Sequence, residues 1–149
     1  MQAQDIDNVL AIEQTANEFP WQRKSFEDSL KSGHIAWVFH QQSEQIVGFA
    51  IVQAVLDETH LLNVCVEPTA QGKGLGKTIV QHVIDHAKSV SAVIILLEVR
   101  RSNERAQQLY LQAGFNEMSV RKGYYPAEQG REDAILMAMD LDLMSLFKQ

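Results

Sequence analysis

Gln71-Gly-Lys-Gly-Leu-Gly-Lys-Thr78 lies between a strand-like segment and a run of helical periodicity, and it misses two familiar nucleotide loops. A P-loop needs Gly, four residues and then Gly-Lys-Ser/Thr, so that backbone N–H groups cradle phosphates and the hydroxyl holds magnesium. Here only residues 73–75 separate Gly72 from Gly76, and the position that should be glycine is Gln71. The dinucleotide pattern G-x-G-x-x-G fails too, because the glycines fall at 72, 74 and 76. Glycines let main-chain amides turn inward without a Cβ in the way, and a helix start offers unpaired N–H groups at the positive end of its dipole. Lys73 and Lys77 add charge nearby. These features suit a phosphate or diphosphate; the competing reading is a flexible turn with two surface lysines.

Downstream of the loop, Leu75, Ile79, Val80, Val83, Ile84 and Ala87 recur at helical spacing, so a helix opens within the loop itself. Residues 92–99 are almost wholly apolar and suit a central strand buried on both faces, reached by a helical crossover. A capped helix runs from Ser102 or Asn103 to Ala113, with Gly114 as its stop. Residues 115–120 and 134–139 read as the last strands, with a turn-rich aromatic loop over 123–130 between them. Upstream, Asp5 caps a helix carrying Ile6, Val9, Leu10 and Ile12, and Ser25-Phe-Glu-Asp28 opens a short second helix ending near Gly33. Residues 35–40, 45–54 and 58–66 are strand-like and separated by short polar turns, which predicts antiparallel hairpins; Glu67-Pro68 ends the third. The order predicts an α+β fold, a mixed and mostly antiparallel sheet of about six to seven strands with helices on both faces.

The 149 residues predict a single domain over 1–149. Apolar residues are 46% and charged residues 21%, ordinary for a soluble globular chain. No apolar run reaches the ~18 residues of a membrane span, and the N-terminus lacks a basic stretch followed by an apolar run. A single cysteine, Cys65, excludes an internal disulfide; together these favour a cytoplasmic location. Net charge is −6, and basic residues do not cluster beyond pairs such as Arg100-Arg101 and Arg121-Lys122. That argues against direct nucleic-acid binding and is compatible with a basic protein or amine as partner.

Val64-Cys-Val-Glu-Pro68, then Gln71-x-x-Gly74-x-Gly76, then a helix, resembles the coenzyme A segment of the GNAT N-acetyltransferase superfamily. In that superfamily the loop cradles the diphosphate of acetyl-CoA and needs no magnesium-binding hydroxyl, which leaves Thr78 as an ordinary helix residue. Within it, the sequence is most similar to the bacterial ribosomal-protein-alanine N-acetyltransferases. Phe19-Pro-Trp21, Leu97-Glu-Val-Arg100, Ser102-Asn103, Leu109-Tyr110, Gly114-Phe-Asn116, Tyr124-Tyr-Pro126 and Gly130-Arg-Glu-Asp-Ala134 carry that resemblance. It implies the GNAT acyl-CoA N-acyltransferase fold, acetyl-CoA as co-substrate with no metal, and an acceptor that is the N-terminal alanine of a small-subunit ribosomal protein. We expect a monomer with no membrane partner. The alternatives are a GNAT enzyme acting on a small amine or a lysine side chain, and a non-catalytic acyl-CoA-binding module.

Acetyl transfer to an amine needs a neutral amine, a polarised thioester carbonyl and a proton for the departing thiolate. Glu98 interrupts the apolar strand, where an unpaired carboxylate is costly. It serves as base, or it sits at the open strand end paired with Arg100 or Arg121. The resemblance implies the general base, acting directly or through water. Asn103 and Tyr110 share one helix face, two turns apart. Asn103 bonds the pantetheine arm or only caps the helix; Tyr110 protonates sulfur or only packs with Leu109 and Phe115. The resemblance implies the functional role for both. It also implies that the backbone of Val64, Cys65 and Val66 pairs with pantetheine as an added strand, and that Gly72, Lys73, Gly74, Leu75, Gly76 and Lys77 hold the diphosphate. Cys65, between two valines, reads as a buried thiol rather than a nucleophile. His82 and His86, four apart, lack an evident third metal ligand and read as a solvated helix face. Phe19-Pro20-Trp21 and Tyr124-Tyr125-Pro126, with Arg131, Glu132 and Asp133, either grip an acceptor N-terminus or seal the end of the sheet.

Overall fold

A computed structural model describes residues 1–42 and 44–142. Two helices, α1 (Ile6–Ala16) and α2 (Arg23–Lys31), precede a meander of β1 (Ile35–His40), β2 (Ile46–Val55) and β3 (Glu58–Val66). Helix α3 (Leu75–Ser89) crosses over to β4 (Ile94–Arg100), and α4 (Glu104–Ala113) leads to β5 (Asn116–Pro126) and β6 (Arg131–Asp140). The six strands are ordered β1-β2-β3-β4-β6-β5, and only β3 and β4 run parallel. The expected mixed, mostly antiparallel sheet is therefore present, with the crossover helix where the parallel pair requires one.

Each sheet face is covered by helices because its alternate residues are apolar. Ile79, Val80, Val83 and Ile84 of α3 pack with Leu61, Ile95, Leu97, Val99 and Met137 on one face. Ile6, Val9 and Ile12 of α1 and Phe26 of α2 pack with Phe49, Ile51 and Cys65 on the other. Full burial of each such side chain contributes about 1.5–3 kcal/mol. Gly48 of β2 marks where the layers are closest. A Cβ there would lie 2.8 Å from Ile79 Cδ1 and 2.9 Å from the Cys65 carbonyl oxygen. Ile79 is fully buried in the core and the carbonyl is fixed in the β2–β3 ladder, so neither yields freely. Gly48→Ala is therefore expected to destabilise the fold by about 1–3 kcal/mol, read as a lower midpoint in equilibrium urea denaturation.

One irregularity in the sheet creates the cleft. β3 pairs with β4 only from Glu58↔Ile94 to Leu61↔Leu97. Opposite, Ile51 faces Asn63 while Val52 faces Leu61, so Leu62 is an extra residue bulging from β3. A bulge bends its strand. Beyond it, residues 63–66 pair with β2 alone and β4 continues with β6, which splits the sheet between β3 and β4.

Three local expectations are corrected. α2 begins at Arg23, with Gln22 at the N-cap position making no side-chain cap bond, rather than at Ser25; the Trp21 N–H, held by the Glu13 carboxylate (3.0 Å), fixes the chain's entry earlier. Asp5 accepts a hydrogen bond from Gln2 N (2.7 Å) in a short 3-10 turn and makes no side-chain cap on α1. Residues 123–126 belong to β5 rather than to a loop. Arg121 pairs with Ala134 and Tyr125 with Glu132, so residues 122–124 bulge opposite Asp133, with Gly123 at φ 60°. The glycine that reads as a turn signal serves the bulge, which Asp133 Oδ1 secures by accepting from Gly123 N (3.0 Å). Among the described residues no helix is long and apolar enough to cross a membrane.

Candidate active site

The glycine loop follows the end of β3 at the split. Gly72 and Gly74 have φ of 82° and 79°, left-handed values that cost other residues. A Cβ at either would meet nothing within 4 Å, so conformation rather than room calls for glycine. Gly76 is the reverse: it is helical, and a Cβ there would lie 3.3 Å from Leu109 Cδ2, so its smallness lets α3 approach α4. The first helical donor of α3 is Thr78 N, to Gly74 O (3.1 Å). Among the described residues the amides of 72–77 donate to no protein acceptor. Gln71 ties the loop to both neighbours: its Nε2 donates to Val66 O (3.0 Å), and its Oε1 accepts from Arg105 Nη1 on α4.

A cavity of about 580 Å³ runs from this loop along the free edge of β3, against α4. Val64, Cys65, Val66, Gly72, Gly74, Gly76, Lys77, Asn103 and Tyr110 all line it; Lys73 and Leu75 do not, although their amides belong to the unpaired run. A second cavity, of about 480 Å³, opens across the split and holds Glu98 and Arg100 of β4, Asn63 of β3, Phe19, Trp21 and Tyr125. The two share Ala16, Asn17, Val64, Asn103, Ala106 and Tyr110 as a common wall.

Glu98 keeps a quarter of its side chain exposed (25%) and pairs with Arg121 Nη1 at 3.4 Å. Tyr110 is 8% exposed and its ring meets Phe115 at 5.8 Å. Burial drives its phenol pKa well above the ordinary range, so the hydroxyl keeps its proton. Asn103 caps α4, its Oδ1 accepting from Ala106 N (3.1 Å), which leaves its amide nitrogen for another partner. Cys65 is buried, and burial together with the nearby Glu13 charge pushes its thiol far up, so it remains neutral.

Residues 6–115 match the Acetyltransferase (GNAT) family. The chain belongs to this family. It is 38% identical over 143 residues to the [ribosomal protein bS18]-alanine N-acetyltransferase of Escherichia coli K12, covering 96% of each chain. The Salmonella typhimurium protein of the same name is 40% identical over 139 residues, 93% of each. The crystal structure of the ribosomal-protein-S18-alanine N-acetyltransferase from Escherichia coli superposes with a TM-score of 0.87 at 39% identity, over 95% of this chain and 90% of that one.

Sequence reading gives no site role of their own to two residues of this GNAT cleft, Arg100 and Glu13. The Arg100 guanidinium stacks between the rings of Phe19 (4.1 Å) and Tyr125 (4.4 Å) and donates to Pro126 O (2.7 Å). It also meets Glu132 Oε2 (3.3 Å), while Glu132 Oε1 accepts from Ser102 N (3.1 Å) and Oγ (2.8 Å). Those bonds, Ser102 first and then Arg100, hold the Glu132 carboxyl below its usual range. Asp133 is taken by Gly123 N and by Arg101, and Arg131 donates to Tyr124 O (2.8 Å). Residues 131–133 thus brace the aromatic wall instead of presenting free charges. Burial first, and then the Glu98 charge, push Tyr125 up to about 12. Glu13 sits four residues after Val9, on the apolar stripe of α1, and that spacing is its sequence signal. His82 and His86 are not simply solvated. Trp37 packs edge-on against both rings (4.9 and 5.0 Å), and burial first, then His82, lowers the His86 pKa. Among the described residues no group of three or more His, Cys, Asp or Glu is placed to hold a metal.

Proposed function

We infer that this chain is an acetyl-CoA-dependent N-terminal protein acetyltransferase, one catalytic domain over residues 1–149, whose acceptor is the N-terminal alanine of a small-subunit ribosomal protein. The observation that carries the reading is the shared wall. One cavity ends at a run of unpaired amides, the other contains a carboxylate, and Tyr110 borders both. The relatives named for ribosomal protein bS18 supply the acceptor class.

The residues present fit the donor. Amides of 72–77 at a helix start suit a diphosphate, with Lys73 and Lys77 close in sequence to add charge. The free edge of β3 at Val64, Cys65 and Val66 suits the amides of a pantetheine arm, an added strand in all but name. The amide nitrogen of Asn103 donates to the same arm. When bound, acetyl-CoA supplies an acyl group activated as a thioester. Glu98 takes the proton of the acceptor amine, and Arg121 keeps its carboxylate in place. Tyr110, protonated at ordinary pH, donates to the departing sulfur. Cys65 is neutral and buried, which favours direct transfer over an acyl-cysteine route. Phe19 and Tyr125, clamped by Arg100, wall the acceptor cavity together with Trp21.

The test is acceptor competition. Purified protein is given acetyl-CoA with an alanine-starting peptide, an N-terminally blocked lysine peptide and a free polyamine, and products are weighed by mass spectrometry. We expect the alanine peptide to carry the acetyl group on its α-amine with the highest kcat/KM. Faster turnover of the lysine side chain or the polyamine contradicts the acceptor assignment.

A further inference from the structure

Glu13 is the one buried carboxylate among the described residues, 1% exposed, and it forms no ion pair with a lysine, arginine or histidine. The two oxygens of a carboxylate offer about four acceptor sites. Three are filled. Asn17 Nδ2 donates to Oε1, and Trp21 N (3.0 Å) and Asn63 Nδ2 (2.9 Å) donate to Oε2. The donors come from α1, from the α1–α2 connection and from β3 just past its bulge. Glu13, Asn17, Trp21 and Asn63 all line the cavity that holds Glu98. A buried, unpaired charge is expensive, and neutral replacements of buried ions are often stability-neutral or better. Holding three N–H groups therefore does not by itself explain a charge at this position.

We propose that Glu13 is an acceptor-positioning residue: its charge, on the wall of the cavity that holds Glu98, draws the cationic α-ammonium into that cavity until the proton passes to Glu98. This rests on the protein α-amine reading above. The charge is not cancelled by its surroundings. β2 and α2 present apolar side chains to α1, Phe49, Ile51 and Phe26. β3 presents the neutral Cys65, and the cavity adds Glu18, Glu98, Tyr110 and Tyr125. Of the cations nearby, Arg100 is engaged by Glu132, Arg121 by Glu98 and Arg23 by Asp7. Glu13 and Glu98 thus divide the labour: the charge of one attracts the ammonium, the other removes its proton.

Glu13→Gln separates charge from shape. The amide oxygen of the substituted side chain keeps the Trp21 and Asn63 donors, and the Asn17 amide, turned over, accepts from the new NH₂ group. Steady-state kinetics with an alanine-starting peptide are measured at pH 6.5 and 9, either side of an α-amine pKa of about 7.7–8.0. Relative to wild type at each pH, KM for the peptide is expected to rise about 10-fold at pH 6.5 and under about 2-fold at pH 9, the loss of one nearby charge felt only by the ammonium form. KM for acetyl-CoA should not move. The charge-swapped double variant, Glu13→Gln with Asn17→Asp, returns the charge to the network and should restore KM at pH 6.5. An equal rise at both pH values, or no restoration, overturns the proposal in favour of a purely structural carboxylate. A second arm needs no substitution at position 13. In Glu98→Gln protein, calorimetry at pH 6.5 compares the peptide with its des-amino analogue; tighter binding of the amine form is expected, and equal binding overturns the proposal. If wild type acetylates a small amine and not the peptide, the acceptor reading falls, while the same KM comparison with that amine still decides the role of Glu13.

Discussion

Glu98→Gln is expected to lower kcat by about 10²–10⁴ while leaving acetyl-CoA affinity within about twofold. The substitution keeps the size of the side chain and removes only its basicity. Glu98 lies in the acceptor cavity and does not line the one that ends at the glycine loop, so donor binding has no reason to change. Its partner Arg121 is 54% exposed, and breaking so exposed an ion pair costs about 0–1 kcal/mol at most, so the fold should persist. The measurement is steady-state kinetics beside calorimetry with acetyl-CoA. Unchanged kcat would remove Glu98 from the chemistry. Lost acetyl-CoA binding would make its role structural.

Tyr110→Phe is expected to lower kcat by about 10²-fold, the lower end of the range for proton transfer by a positioned side chain. The ring stays, so the contact with Phe115 and the packing of α4 on the sheet stay. The sign of the pH effect is a further check. Burial favours the neutral phenol, so the folded-state pKa is raised and the proton donor survives above the ordinary tyrosine range. Wild-type kcat should therefore show no alkaline fall near pH 10 from this group. A Phe variant at full speed would show that the hydroxyl does not act as the acid assigned to it; a wild-type alkaline limb near pH 10 that vanishes in the variant would keep the acid role and contradict the raised pKa.

The parts of this cleft that were legible in sequence are the local ones. Gly72 and Gly74 announce left-handed backbone, and the spacing of Leu75 to Ala87 announces the helix whose start they form. The apolar run of residues 93–99 announces a strand between neighbours, and Glu98 stands out because it alone interrupts that run. What was not legible depends on residues far apart in the chain. The start of α2 is set by a hydrogen bond from Trp21 to Glu13, not by capping residues in α2 itself. The 123–126 segment carries glycine and proline and still pairs as strand, because Asp133 and Arg131 satisfy the bulge from across the ladder. Glu132 reads as a free carboxylate in sequence and is held by Ser102 and Arg100, about thirty residues away. The β3–β4 split, which makes both cavities possible, depends on a single extra residue, Leu62, that no periodicity marks.

The most direct measurement is a crystal structure with a bisubstrate compound, CoA joined through an acetyl bridge to the α-nitrogen of an alanine-starting peptide. We expect its diphosphate within hydrogen-bond distance of the amides of residues 72–77, its sulfur beside the Tyr110 hydroxyl, and its peptide nitrogen in the Glu98 cavity, reached by that carboxylate directly or through one water. A diphosphate seated elsewhere, or a Glu98 side chain turned from the nitrogen with no bridging water, would contradict the assignment.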